Sequence, residues 1–143
     1  MYTITKEIRF CYGHRLLHHT GKCQHLHGHS ARALITLASE DLDALGMVCD
    51  FSTVKERIGP WIDATLDHNL LLYAEDPLIP RLQEAGERFM VVDENPTAEF
   101  IAKMIFEYGR GEGLPVEEVR LYESDGSFAS YRESGGRPSP EPM

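Results

Sequence analysis

Cys23-Gln24-His25-Leu26-His27-Gly28-His29, continuing as Ser30-Ala31-Arg32-Ala33-Leu34-Ile35-Thr36-Leu37-Ala38, is the stretch from which the rest of the chain can be read. Ala31, Ala33, Ile35 and Leu37 repeat at period two, which predicts a strand from about His27 to Ala38. His27 and His29 share that phase. Side chains at i and i+2 leave one face of a strand about 6.6–6.8 Å apart. Gly28 adds no bulk between them, so the pleat itself aims two imidazoles at one point. Six of the seven histidines lie between positions 14 and 29, a clustering that asks for a metal.

On the N-terminal side, Tyr2, Ile4, Ile8, Phe10 and Tyr12 alternate with Thr3, Thr5, Glu7 and Arg9, with Lys6 as the exception. This predicts a half-buried strand over residues 2–12. Gly13 is expected to interrupt it as a bulge would, re-aiming His14. Three imidazoles, His14, His27 and His29, suit zinc, and three protein ligands with the fourth position open is the pattern of catalytic sites. With Cys23 as a fourth ligand the same residues make a closed structural site, and residue types alone leave both readings standing. Off the metal, Cys23 would feel a nearby dication that lowers its pKa from about 8.5 toward neutrality, freeing the thiolate for chemistry. His18, His19 and His25 read as solvated loop residues. Cys11 and Cys49 read as small buried hydrophobes.

A chain of 143 residues fits one domain, here residues 1–132, large enough to bury roughly two thirds of its unfolded surface. Three cysteines are an odd number without a signal-peptide pattern, so reduced thiols and a cytoplasmic location are expected. No apolar run approaches the roughly 18 residues of a membrane span. A net charge of −9 repels nucleic acid and weakens any zinc-finger reading.

On the C-terminal side, Val54, Ile58, Trp61, Ile62 and Leu66 form one helical stripe with Ser52 as its expected N-cap, and Gly59-Pro60 predicts a kink or two short helices. Residues 70–86 read as a long connection holding a short helix at Ile79–Ala85, and Phe89–Val92 as a short strand. Thr97 caps a second helix with Ile101, Met104, Ile105 and Tyr108 on its buried face, stopped by Gly109, Gly111 and Gly113. Val119 and Leu121 mark a further strand, Ser124-Asp125-Gly126-Ser127 a hairpin, and Phe128–Arg132 the returning strand. Residues 133–143 are expected to be a disordered tail. The order predicts an α+β fold, a four-stranded antiparallel sheet with two helices on one face. Its other face would be exposed unless a partner covers it.

Two further features carry chemistry only in context. Asp67 beside His68 makes a proton shuttle if the carboxylate orients the imidazole, but it also reads as an ordinary helix end. Glu123 shares the buried phase of Val119 and Leu121 and needs a partner, either an arginine or a heterocycle offering two N–H donors.

Taken together, Cys23-x-x-x-His27-Gly28-His29, Phe10-x-x-x-His14-Arg15-Leu16, Asp50-Phe51, Leu66-Asp67-His68, Pro96-Thr97-x-Glu99 and Glu123-Ser124 resemble the 6-pyruvoyl-tetrahydropterin synthase family. The likeness covers residues 3–132. It is closer to the bacterial branch, the 6-carboxy-tetrahydropterin synthases of queuosine biosynthesis. The resemblance implies zinc on His14, His27 and His29, Cys23 as catalytic base, and Asp67 with His68 as the other catalytic pair. Glu123 would anchor the pterin, with Thr97 and Glu99 close to it. The implied substrate is 7,8-dihydroneopterin triphosphate, with Lys22, Arg9 and Arg15 as expected phosphate contacts. The implied activity is a zinc-dependent lyase that releases triphosphate and acetaldehyde. 6-Pyruvoyl-tetrahydropterin formation and aldolase-type cleavage of dihydroneopterin are the other activities the family suggests, and a non-catalytic zinc module is the reading from outside it. The implied architecture is the tunnelling fold, assembled as a homohexamer of two trimers with sites between subunits. Tyr12-Gly13 stands where the family usually has two small residues, Ser124 where it more often has threonine, and the connection 70–89 is longer than the compact bacterial pattern.

Overall fold

The computed structural model describes residues 1–133; apart from Glu133, the expected tail lies outside the described residues. Two strands of 13 residues each, β1 (Tyr2–His14) and β2 (His27–Ser39), pair antiparallel from Tyr2 opposite Ser39 to His14 opposite His27 without a slip. Their alternation sets the layers. Phe10, Tyr12 and His14 of β1 and Ala31, Ala33, Ile35 and Leu37 of β2 are buried on one face. The other face carries the Thr5–Thr36 hydroxyl contact at 2.8 Å and the Arg32–Glu7 pair at 3.0 Å.

The helix after β2 is α1 (Phe51–Thr65), the next strand is β3 (Asn69–Tyr73), and α2 (Ile79–Ala85) and β4 (Met90–Val92) follow. The remainder is α3 (Ala98–Gly111), β5 (Val116–Ser124) and β6 (Ser127–Tyr131). The sheet has six strands in the order β4-β3-β1-β2-β5-β6 and is mixed, because β3 lies parallel to both β1 and β4. The expected four-stranded antiparallel sheet is thus the β1, β2, β5, β6 part of a larger one. The strand β3 went unread because Leu70-Leu71-Leu72 is a short continuous apolar run. Parallel strands buried on both faces have that pattern, and periodicity cannot tell it from loop or helix. Leu71 and Leu72 are fully buried.

The helices α1 and α3 cover one face, with Val54, Ile58 and Ile62 of α1 and Ile101, Ile105 and Phe106 of α3 in one core with the strands. Trp61 of α1 stacks on Tyr108 of α3 with centroids 4.3 Å apart. The N-cap of α1 is Asp50, not Ser52: its Oδ1 accepts from the Ser52 N–H at 2.8 Å and hydroxyl at 2.7 Å, which holds its carboxyl below the usual range. Pro60 sits inside α1 without splitting it into two helices. Pro60 and Glu56, whose carbonyl the missing N–H would have served, are both exposed, so water can take that carbonyl. Gly109 does not stop α3. A Cβ there would meet Val116 Cγ2 at 2.8 Å and Ile58 Cδ1 at 3.2 Å. Its missing side chain lets α3 lie close to β5, and the turn comes later, at Gly113 with φ +81°. Gly13 is likewise no bulge. It stays in register opposite Gly28, and a Cβ would press on Leu70 Cδ1 of β3 at 3.3 Å.

Candidate metal centre and its surroundings

Register brings the imidazoles together. His14 lies directly opposite His27, and Tyr12 opposite His29, all on the helix-covered face at the end of the sheet. Ring centroids are 4.5 Å apart for His14–His27 and 5.0 Å for the other two pairs. His14, 2 % exposed, donates from Nδ1 to the Pro96 carbonyl at 2.6 Å, and His27 donates from Nδ1 to the His25 carbonyl at 2.7 Å. Both rings are thereby left with Nε2 as the free lone pair, the arrangement that outer partners impose on metal-binding histidines. His29 places its Nε2 3.1 Å from that of His14. Burial pushes the His14 pKa below its ordinary value, against the opposing pull of the Pro96 carbonyl, which favours the neutral, ligating form.

One ligand atom from each ring lies within 4.8 Å of the other two. Tetrahedral zinc at about 2.0–2.1 Å from each nitrogen separates a pair of them by about 3.3–3.4 Å, so the His14–His29 pair needs only a few tenths of an ångström to fit. The three imidazoles can hold a metal ion. The Cys23 thiol does not join them as a fourth member of this group, so the closed site is not assembled within the chain.

Glu123 reaches the same place from β5. Its Oε1 accepts from the Tyr12 hydroxyl at 3.3 Å and its Oε2 lies 3.4 Å from His29 Nε2. Burial first, and then the Glu123 charge, push the Tyr12 pKa up, so this phenol stays a neutral donor. A carboxylate has about four lone-pair sites, so Glu123 keeps capacity for further donors.

The other expected residues divide. Cys23 lies in a short 3-10 turn, Lys22–Gln24, whose Cys23 carbonyl accepts from the Leu16 N–H at 2.8 Å. Thr97 caps α3 through a 3.1 Å bond from the Phe100 N–H, and Glu99 is exposed in the first turn. The preceding residue, Pro96, is the one that touches the imidazoles, through its carbonyl. Arg15 is bound through Nε at 2.7 Å and through Nη2 to the buried Asp76 carboxylate, so within this chain its charge is already paired.

Asp67 and His68 do form a pair, with Nδ1–H to Oδ2 at 2.8 Å. Within one chain, however, they are bonded to Cys11, whose side chain belongs to the opposite phase of β1 from His14. Cys11, Ser30 and His68 line an open cleft of about 590 Å³ that Tyr12, His27 and His29 also border. The Pro96 and His25 carbonyls, the Tyr12 hydroxyl and the Cys11 thiol all escaped the sequence reading. Only Tyr12 left a signal, since it shares the His14 phase.

Comparisons with known proteins identify the family. The family model described as 6-pyruvoyl tetrahydropterin synthase matches residues 3–134. A protein of Rickettsia bellii named 6-carboxy-5,6,7,8-tetrahydropterin synthase is 41% identical over 135 residues, covering 90% of this chain and 98% of its own. One of the same name from Synechocystis is 38% identical, covering 92% and 93%. An uncharacterised protein of Wolinella succinogenes superposes with a TM-score of 0.80 at 29% identity, covering 92% of this chain and 97% of that one. The 6-pyruvoyl tetrahydropterin synthase of Caenorhabditis elegans, at 22% identity and a TM-score of 0.68, shares the fold over 93% and 96% of the two chains. With a match over nearly its whole length and relatives spanned end to end, the chain belongs to the 6-pyruvoyl tetrahydropterin synthase family.

Proposed function

We propose that this protein is a zinc-dependent 6-carboxy-5,6,7,8-tetrahydropterin synthase. It converts 7,8-dihydroneopterin triphosphate and one water to 6-carboxytetrahydropterin, with loss of triphosphate and acetaldehyde, in queuosine biosynthesis. The observation that carries the reading is the His14, His27, His29 group, two of whose rings are oriented by backbone carbonyls, with the Glu123 carboxylate beside it. The names of the relatives supply the reaction.

When bound, zinc supplies Lewis-acid polarisation of an oxygen on the substrate side chain, which makes the neighbouring C–H groups more acidic. Cys23, four residues before His27, takes a proton as thiolate. His68, oriented by Asp67, accepts or returns one at the next carbon. Glu123 accepts two N–H bonds from the amino-pyrimidine edge of the pterin, a charge-assisted bidentate pair. Thr97 and Glu99 border the pterin from the start of α3. Because His68 lies with Cys11 on the outer side of the sheet, it serves the imidazole site of a neighbouring subunit, and the working form is a homohexamer of two trimers.

The test is product analysis. Incubation with 7,8-dihydroneopterin triphosphate yields inorganic triphosphate, acetaldehyde and the 6-carboxy pterin. A 6-pyruvoyl product would move the protein to the other branch of the family, and no triphosphate release would sink both. Cys23→Ala retains zinc by metal analysis and loses at least about 100-fold in kcat. Loss of zinc from that variant would instead make Cys23 a ligand.

A further inference from the structure

A second group of ligand-type side chains lies on the other side of the sheet from the imidazoles. Cys11, opposite Ser30 in register, grips the turn between α1 and β3 with both its backbone groups. Its carbonyl accepts from the His68 N–H at 2.7 Å, and its N–H donates to Asp67 Oδ1 at 2.9 Å. The double clamp holds His68 at φ 56°, a left-handed conformation that costs a non-glycine residue energy. It also fixes the side chains. His68 Nδ1 lies 3.5 Å from Cys11 Sγ and 2.8 Å from Asp67 Oδ2, and the sulfur, nitrogen and oxygen donors all fall within 4.8 Å of one another.

We propose that Cys11, Asp67 and His68 form a second divalent-metal site, for an ion of the zinc class, separate from the site made by His14, His27 and His29. Four observations support it. Tetrahedral coordination at about 2.3 Å to sulfur and 2.0–2.1 Å to nitrogen separates those two atoms by about 3.5 Å, the Sγ···Nδ1 separation present; the Nδ1···Oδ2 pair, hydrogen-bonded at 2.8 Å, opens by about 0.5 Å when the ion replaces the proton between them. The donor set of one thiolate, one imidazole and one carboxylate is one that zinc accepts. Among the described residues no lysine or arginine pairs with Asp67, whose ion-pair partner is His68. Within one chain the His68 side chain is 76% exposed, and in an assembly that sets it at a neighbouring subunit's site it borders the space that admits substrate, so an ion can enter. On binding, the thiol releases its proton, and a neutral imidazole shifts its proton from Nδ1 to the outward Nε2. The ion therefore occupies the nitrogen that faces Asp67, and a loaded site removes His68 from proton transfer. That last consequence, inhibition by excess metal, rests on the catalytic role proposed for His68. Binding itself does not.

Titration of the purified, metal-free chain with Co²⁺, read by equilibrium dialysis and absorption, tests the site. Two equivalents bind per chain, the weaker one bringing a thiolate-to-cobalt charge-transfer band. Cys11→Ser, which keeps the backbone clamp, binds one equivalent without that band, and the retained imidazole equivalent shows that the variant is folded. Cys23→Ala keeps both equivalents and the band. A single equivalent in the unaltered chain, or a band that survives Cys11→Ser and disappears with Cys23→Ala, overturns the proposal. In turnover assays, excess Zn²⁺ inhibits the unaltered chain at least 10-fold more strongly than Cys11→Ser. Equal inhibition, with the binding result intact, overturns the inhibitory role and leaves the site standing.

Discussion

His14 shows how much a single side chain in this family depends on its backbone surroundings. Its ring is buried, its Nδ1 is committed to the Pro96 carbonyl, and its Nε2 faces His29. His14→Ala therefore removes a ligand and also leaves a buried carbonyl without its donor. The expected outcome is loss of bound zinc after dialysis, by more than the roughly 10–100-fold in affinity that loss of an outer partner costs. Metal analysis by atomic emission checks it, and a variant that keeps one zinc per chain would remove His14 from the site. The three histidines that the structure brings together could be picked out from residue types and strand phase. Their tautomers could not, because Pro96 is 82 residues from His14 along the chain.

At the scale of elements, two packing contacts decide how the site is held. Close approach of α3 to β5 at Gly109 leaves no room for a methyl group. Alanine there gains up to about 1 kcal/mol of helix propensity but forces Val116 and Ile58 to shift, for a net destabilisation of about 1–2 kcal/mol. The urea midpoint, at unchanged m-value, measures it, and a stabilised variant would show that the core relaxes freely. The second contact ties the end of β1 to the turn before α2 through Arg15 and Asp76. The Arg15 guanidinium holds the Asp76 carboxyl below the usual carboxylate range, with the Leu78 N–H assisting. A lowered folded pKa means that the pair stabilises fully above the unfolded value near 3.9 and that this contribution is lost as pH falls through the folded value. Asp76→Asn should thus cost about 3 kcal/mol at pH 7. The stability curves of the two proteins should converge below pH 4, and a gap independent of pH would mean that the carboxylate charge is not what matters.

Across the whole molecule, the sheet separates the side chains of two sets of candidate site residues. The imidazoles and Glu123 face the helix layer, while His68 lies with Cys11 on the outer side. If catalysis needs both sets, subunits must complement one another. Mixing inactive Cys23→Ala and His68→Ala chains, unfolded together and refolded, then restores roughly a quarter of the normal activity by random pairing of intact halves. No recovery in refolded protein of unchanged oligomeric state would place the whole site in one chain. The outer face is patterned with Thr5–Thr36 and Arg32–Glu7 contacts. It can face water, so the support for the proposed assembly lies in the separation of the proposed catalytic residues more than in the exposed face itself.

What the sequence determined by itself was whatever depends on local period and residue type. That includes the two long strands, the shared phase of His27 and His29, the stripes of α1 and α3, and a histidine cluster of the type that holds a first-row metal ion. What the tertiary structure decided was everything that needs residues distant along the chain to meet. Pairing of β1 with β2 through Gly13 and Gly28 put His14 opposite His27. Parallel docking of β3 made the sheet six-stranded and brought Asp67 and His68 to Cys11. A carbonyl at the start of α3 chose the nitrogen with which His14 can bind metal. Backbone carbonyls and parallel strand neighbours leave no periodic trace in a sequence, because every residue carries the same backbone group and only the fold selects which one is used.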